Sequence, residues 1–132
     1  MIALDWNSDN KQLSLECTNY GHVVALNLTT RGDMLIVGDM MKSVTCLFYD
    51  VATKRFTRFA RDSNTRWMTS IESVSSDLMV GADIFDNLLA LQKVPESETQ
   101  ELALRGQFNL GDKINKFQHG IVYIWPFHIG FS

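Results

Sequence analysis

The sequence predicts an all-β protein, a partial β-propeller, on two observations: a segment that repeats once, and short apolar strands that recur between turn signals. Met34 to Val44 reads as apolar strand, Gly, Asp, short polar turn, apolar strand, and Leu78 to Leu88 repeats that order. Asp39 and Asp83 stand 44 residues apart, Gly38 and Gly81 43. The upstream strands match as well, Val23 to Leu28 answering Met68 to Ser73. Self-similarity at roughly 40–45 residues with several short strands per unit marks a propeller blade. The chain of 132 residues holds about three four-stranded blades, whereas closed propellers carry roughly four to eight. The expectation is an incomplete ring or a piece of a longer polypeptide.

The elements follow in order. Ile2, Leu4 and Trp6 alternate, and Asn7-Ser8-Asp9-Asn10 turns the chain. Leu13, Leu15 and Cys17 alternate next, then Val24, Leu26 and Leu28, closed by Thr30-Arg31-Gly32-Asp33. Met34 to Val37 is a continuous apolar run, the pattern of a strand covered on both faces. Val44 to Tyr49 and Arg55 to Ala60 flank the turn Asp50 to Lys54. Beyond the polar loop Arg61 to Arg66 come Met68 to Val74, Leu78 to Gly81 and Leu88 to Gln92. Turn signals every 8–12 residues or so point to a sandwich or propeller. Val94 to Glu101, with Pro95, Ser97 and the acids Glu96, Glu98 and Glu101, reads as a solvated loop. Leu102 to Leu104 is expected to add a helical turn. Phe108 and Leu110 restart strand spacing, and Ile114, Phe117 and Ile121 to Ile124 continue it. The expected division is a partial propeller over 1–120 and an atypical apolar tail over 121–132, read either as a buried strand whose neighbours are missing here or as a chain truncated or wrongly joined near this point.

Composition narrows the function. The chain is 45% apolar and 20% charged, as in globular proteins. A net charge of −3 argues against a dominant phosphate-neutralising surface, so nucleic acid is not an obvious direct partner. Apolar runs are too short to span a bilayer, and Met1 to Trp6 lacks the basic flank and long apolar core of a signal peptide. Cys17 and Cys46 both sit in strand patterns and read as reduced core thiols. These features suggest an intracellular protein without membrane partners.

The search for chemistry favours no enzyme. His22, His119 and His128 are far apart without a second ligand at helical or hairpin spacing, so no metal is expected. Gly38 to Ser43 lacks the second Gly before Lys42 and the following helix of a phosphate loop. Asp39 and Asp83 are read as caps of turn N–H groups. No Ser or Cys has a nucleophile-elbow context, and no cofactor is implied. Surface residues remain. Met40 and Met41 occupy a turn, and Trp67 follows a loop carrying Arg61, Asn64 and Arg66. Trp, Met and Arg are enriched at protein contacts. Other readings stand open beside these: Trp67 as a wedge between blades, Met40 as core, and Arg61 as a partner of Asp62 or Asp50.

These residues carry a resemblance. Tyr20 to Leu28, Gly32 to Val44, Ala60-Arg61-Asp62-Ser63-Asn64, Trp67-Met68, Gly81-Ala82, Asn87-Leu88 and Phe108-Asn109-Leu110-Gly111 resemble the C-terminal propeller of the damage-specific DNA-binding protein large subunits, the adaptors of cullin-4 ubiquitin ligases. The wider family includes the A subunit of the cleavage and polyadenylation specificity factor and a splicing-factor subunit. The resemblance spans Trp6 to Gly120 and fades over Ile121 to Ser132. It implies a seven-bladed-type ring, the third of three propellers, with helical segments of substrate receptors received in the cleft between the first and third. The receptor-facing residues it implies are Val24, Leu26, Asn27, Met40, Lys42, Arg61, Trp67 and Asn115. Leu26, Arg61, Trp67 and Asn115 keep the family residue; Val24, Met40 and Lys42 are conservative departures; Asn27 replaces an aromatic. Lys42 in place of Arg loses bidentate geometry.

The resulting expectation is a non-enzymatic interaction module linked to DNA damage and repair, located in the nucleus and also the cytoplasm. Its partners would be substrate receptors of cullin-4 ligases and the remaining blades of the full-length protein, with DNA met only indirectly. The alternative is a scaffold for mRNA cleavage and polyadenylation or splicing. A third reading is a non-functional piece whose open blade edges invite aggregation.

Overall fold

Alternating apolar and polar residues bury one face of a strand and solvate the other, whereas the continuous apolar run Met34 to Val37 is covered on both faces, with only Leu35 half-buried. A computed structural model describes residues 2–95, 100–124 and 127–131. In order, the strands are β1 (Ile2–Asn7), β2 (Gln12–Thr18), β3 (Ala25–Arg31), β4 (Met34–Asp39), β5 (Val44–Asp50), β6 (Arg55–Arg61), β7 (Met68–Ser73), β8 (Leu78–Asp83), β9 (Asn87–Lys93), β10 (Leu102–Asn109), β11 (Gly120–Ile124) and β12 (Phe127–Phe131). No helix occurs among the described residues.

Strands β3 to β6 form one four-stranded antiparallel meander and β7 to β10 a second. The repeat is therefore topological: Asp39 ends the second strand of the first sheet, and Asp83 ends the second strand of the next. Two of the expected four-stranded blades are complete, and the remaining strands make the hairpins β1–β2 and β11–β12. The fold is all-β and of partial-propeller type.

The two sheets pack through β3 and β4 against β7. Register places Ile36 opposite Cys46 and Cys46 opposite Ala60, so all three leave one face of the first sheet. They join Met68, Ile71, Met79, Leu89 and Leu91 of the second sheet in one core. Full burial of each large aliphatic side chain there stabilises the fold by about 1.5–3 kcal/mol. Polar ties run across the same seam: Thr29 Oγ1 donates to Glu72 at 2.9 Å and Arg31 Nη1 to the Val74 carbonyl at 3.2 Å.

Turns follow their residues. Gly32 closes the β3–β4 hairpin with φ 59°, a conformation that costs a residue without Cβ little. Asp50 Oδ1 accepts the N–H groups of Ala52 and Thr53 and caps the β5–β6 turn.

Two expectations are corrected. Leu102 to Leu104 forms no helical turn; it opens β10, paired with Lys93, Gln92 and Leu91. Leu102 enters the core, and that burial outweighs local helix propensity. Ile114 and Phe117 also lie outside the strands, in the irregular stretch between β10 and β11. Cys17 and Cys46 are free thiols, the first half-buried and the second buried. Glu96, Ser97 and Glu98 of the expected loop, and Trp125, Pro126 and Ser132 of the apolar end, lie outside the described residues.

Candidate functional site

The site grows from turns that three buried aspartates hold in shape. Asp39 accepts the N–H groups of Met41 and Lys42 on Oδ1, at 2.8 and 3.2 Å, and that of Val23 on Oδ2 at 2.9 Å. Burial favours the neutral acid, but backbone donors from Met41, Lys42, Val23 and Val24 outweigh it and hold the carboxyl below the usual carboxylate range. Asp83 plays the same part in the second copy. Its Oδ1 accepts from Phe85 N at 2.9 Å and Asn87 N at 3.2 Å, and the Asn87 amide reaches both its oxygens. The turn-capping role expected of this pair is therefore what the geometry provides.

Asp62, just beyond β6, is the third. It accepts from Ser43 Oγ at 2.7 Å, from the backbone and side-chain amides of Asn64, and from Arg66 Nε at 3.3 Å. Arg66 Nη1 also lies 3.9 Å from Asp83 Oδ2. One guanidinium thus links the connection after the first sheet to the β8–β9 turn of the second. Sequence reading noted Arg66 only as part of a polar loop; its bridging role needs two aspartates that fold topology brings together.

Around this frame the residues implied by the resemblance take their places. Val24 is exposed, and its carbonyl accepts from Met40 N at 3.0 Å. Met40 is half-buried. Lys42 is half-buried, its Nζ donating to the Gly21 carbonyl at 2.8 Å, and its backbone bridges to Arg66. Trp67 follows directly, 42% exposed, its carbonyl accepting from Ile84 N. Val24, Met40, Lys42 and Trp67 are therefore tied to one end of the two sheets. On β3, Leu26 is exposed, while Asn27 is half-buried and donates to the Met68 carbonyl at 3.4 Å. Asn115 is exposed beyond β10, next to Ile114, whose carbonyl accepts from Thr69 Oγ1 at 2.7 Å.

Arg61 sits differently. It ends β6, and its N–H donates to Gln100 at 2.9 Å. Its guanidinium forms no ion pair with Asp62 or Asp50; Arg66 holds Asp62 instead. Arg61 and Lys42 line one cavity of about 470 Å³ together with His22 and Arg58. Strand alternation hid Arg58, and separation in sequence hid His22.

Residues 2–124 match the family described as the CPSF A subunit region. The chain is 39% identical over 114 residues to DNA damage-binding protein 1a of Arabidopsis thaliana, covering 83% of this chain and 10% of that protein. It is 36% identical over 115 residues to DNA damage-binding protein 1 of Solanum lycopersicum, covering 84% of this chain and 11% of that one. The protein of that name in Oryza sativa subsp. japonica is 34% identical over 113 residues, with 83% and 10% covered. The chain spans about a tenth of the length of these relatives. With two antiparallel blades, a repeated Asp-capped turn and a match over nearly its whole length, the chain belongs to the CPSF A subunit family in its form like DNA damage-binding protein 1.

Proposed function

We propose that this chain supplies part of the receptor-binding propeller of a cullin-4 ubiquitin ligase adaptor acting in the response to DNA damage, in the nucleus and cytoplasm. One observation carries the reading. Exposed Val24, Leu26 and Trp67 lie beside half-buried Met40 and the cation Lys42, on turns fixed by buried Asp39, Asp62 and Asp83. A rigid apolar surface with a basic rim suits the apolar face of an amphipathic receptor helix. Trp67 has the residue type and position of a binding hot spot. Lys42 and Arg61 face the helix's acidic or carbonyl groups, and Asn115 extends the surface. Asn27, already bonded to Met68, contributes least. DNA is reached through partners, not by this surface.

The test places Trp67→Ala and Arg61→Ala in the full-length protein and measures affinity for a receptor helix peptide. Each substitution should cost about 1–2 kcal/mol, and losses below about 0.5 kcal/mol for both remove these residues from the interface.

A second reading is favoured by the family match, whose description is the CPSF A subunit region. In it the same surface serves an mRNA-processing scaffold. Co-purification separates the two: cullin and receptors in one case, cleavage and polyadenylation or splicing factors in the other.

A further inference from the structure

The cavity beside β5 and β6 carries more cationic chemistry than a helix-binding surface needs. Register places Thr45 opposite Arg61 and Leu47 opposite Arg58. Thr45 and Leu47 are two residues apart on one strand, so both arginines leave the same face of the sheet. That face meets Lys42 and His22 across about 470 Å³. Neither Arg58 nor Arg61 forms an ion pair among the described residues, in a chain whose net charge is −3. Glu101 lines the adjoining recess with both arginines, yet lies in ion-pair contact with neither. Asp39, the carboxylate nearest His22 at 3.8 Å, is occupied by backbone N–H groups.

A second feature is independent of that charge. The His22 side chain is only 7% exposed, and both ring nitrogens are buried without a hydrogen-bond partner. The Arg61 Nε is buried without one as well. Buried donors and acceptors left unmade are destabilising, a cost that a ligand reaching them removes.

We propose that this cavity binds a phosphate monoester, presented as a phosphorylated serine or threonine side chain of a protein partner. Two guanidinium forks and an ammonium suit three acceptor oxygens bearing a charge of about −1.5 to −2. A carboxylate, with one charge and two oxygens, leaves part of the set unused. The cations surround one recess and do not form a basic stripe, and a chain of negative net charge is ill suited to a polyanion. The inference deepens the proposed receptor surface, because Lys42 and Arg61 belong to both. Arg58 and His22 belong to the cavity alone, which lets the two readings fail separately.

The experiment titrates a short alanine-based peptide carrying one phosphoserine into the 132-residue chain, following side-chain NMR signals of Arg58, Arg61 and His22. The same peptide with serine or glutamate, and a single-stranded RNA oligomer, serve as comparisons. Saturable shifts at all three residues with the phosphopeptide are expected, with weaker binding of the glutamate peptide. Arg58→Ala, at an exposed position that leaves the core intact, should weaken binding about tenfold, and Arg58→Lys should weaken it less. Affinity of the unphosphorylated receptor peptide should stay unchanged in both variants. The proposal is overturned by equal binding of phosphoserine and glutamate peptides, by tighter binding of RNA, by shifts that do not saturate, or by indifference to Arg58→Ala.

Discussion

The Sγ of Cys46 lies 3.1 Å from the Sδ of Met79, across the seam between the two four-stranded sheets. Both residues are fully buried. Burial pushes the thiol pKa up to about 12, against a small opposing pull from Lys93. The thiolate is the reactive form, so Cys46 is inert while the sheets stay packed. In the native chain an alkylating reagent at pH 8 should modify half-buried Cys17 and spare Cys46, as read by peptide mass spectrometry. Equal labelling of the two under native conditions would mean that the seam is open.

The seam also sets a test for glycine. A Cβ on Gly38 would stand 3.2 Å from Met68 Cβ and 3.3 Å from Asn27 Cβ, atoms fixed close to the backbone. A Cβ on Gly81 would stand 2.6 Å from Met68 Cε and 3.2 Å from Ile71 Cδ1, the far ends of flexible side chains. Gly38→Ala asks atoms held by the backbone to give by a few tenths of an ångström, whereas Gly81→Ala asks side chains to turn. Overpacking costs about 1–3 kcal/mol, and Gly38→Ala should fall at the upper end and Gly81→Ala at the lower. Urea denaturation of both variants gives the order, and a larger loss at Gly81 contradicts this packing.

Arg66 is 17% exposed and stands between two buried carboxylates, Asp62 and Asp83. Its removal leaves both without their cation. Breaking a buried pair from one side costs about 3 kcal/mol or more, so Arg66→Ala should destabilise by roughly that amount. Arg66→Lys keeps the charge without the guanidinium fork and should recover only part of the loss. A change below about 0.5 kcal/mol for Arg66→Ala, the level of an ordinary surface substitution, would show that the bridge adds nothing.

Asp39 makes stability depend on pH in one direction. Its folded carboxyl releases its proton more readily than in the unfolded chain, because backbone donors outweigh the effect of burial. Its contribution is therefore complete above the unfolded value, about 3.9, and is lost as pH falls through the lower folded value. Asp39→Asn keeps one oxygen for the N–H groups of Met41 and Lys42 but turns an NH2 toward the Val23 N–H, and should cost about 1–3 kcal/mol at neutral pH. The difference between wild type and variant should then shrink below about pH 4. A difference that stays constant down to pH 2 would contradict the cap.

Much of this protein could be read along the chain, because strands write themselves in period-two alternation and turns in Gly and Asx residues. The repeat around Asp39 and Asp83 declared both equivalent strand ends and the capping role, since a short acid after Gly at a turn has few other donors to meet. The Leu102 stretch was misread because three apolar residues suit a helix or a strand equally, and only pairing with β9 decides. Sequence placed Arg61 and Lys42 in a partner-facing set by resemblance, but not in one cavity. Arg58 and His22 escaped notice because an alternating Arg looks solvated and a lone His looks incidental.

By itself, the sequence determined the β class, the order of strands, the blade-like repeat and the family. Tertiary structure alone decided that Arg66 spans two sheets, that Cys46 meets Met79, and that Arg58, Arg61, Lys42 and His22 close on one recess. The physical reason is range. Alternation and turn chemistry act over a few neighbouring residues, whereas these meetings depend on register and on how one twisted sheet lies against the next, quantities that no local pattern encodes.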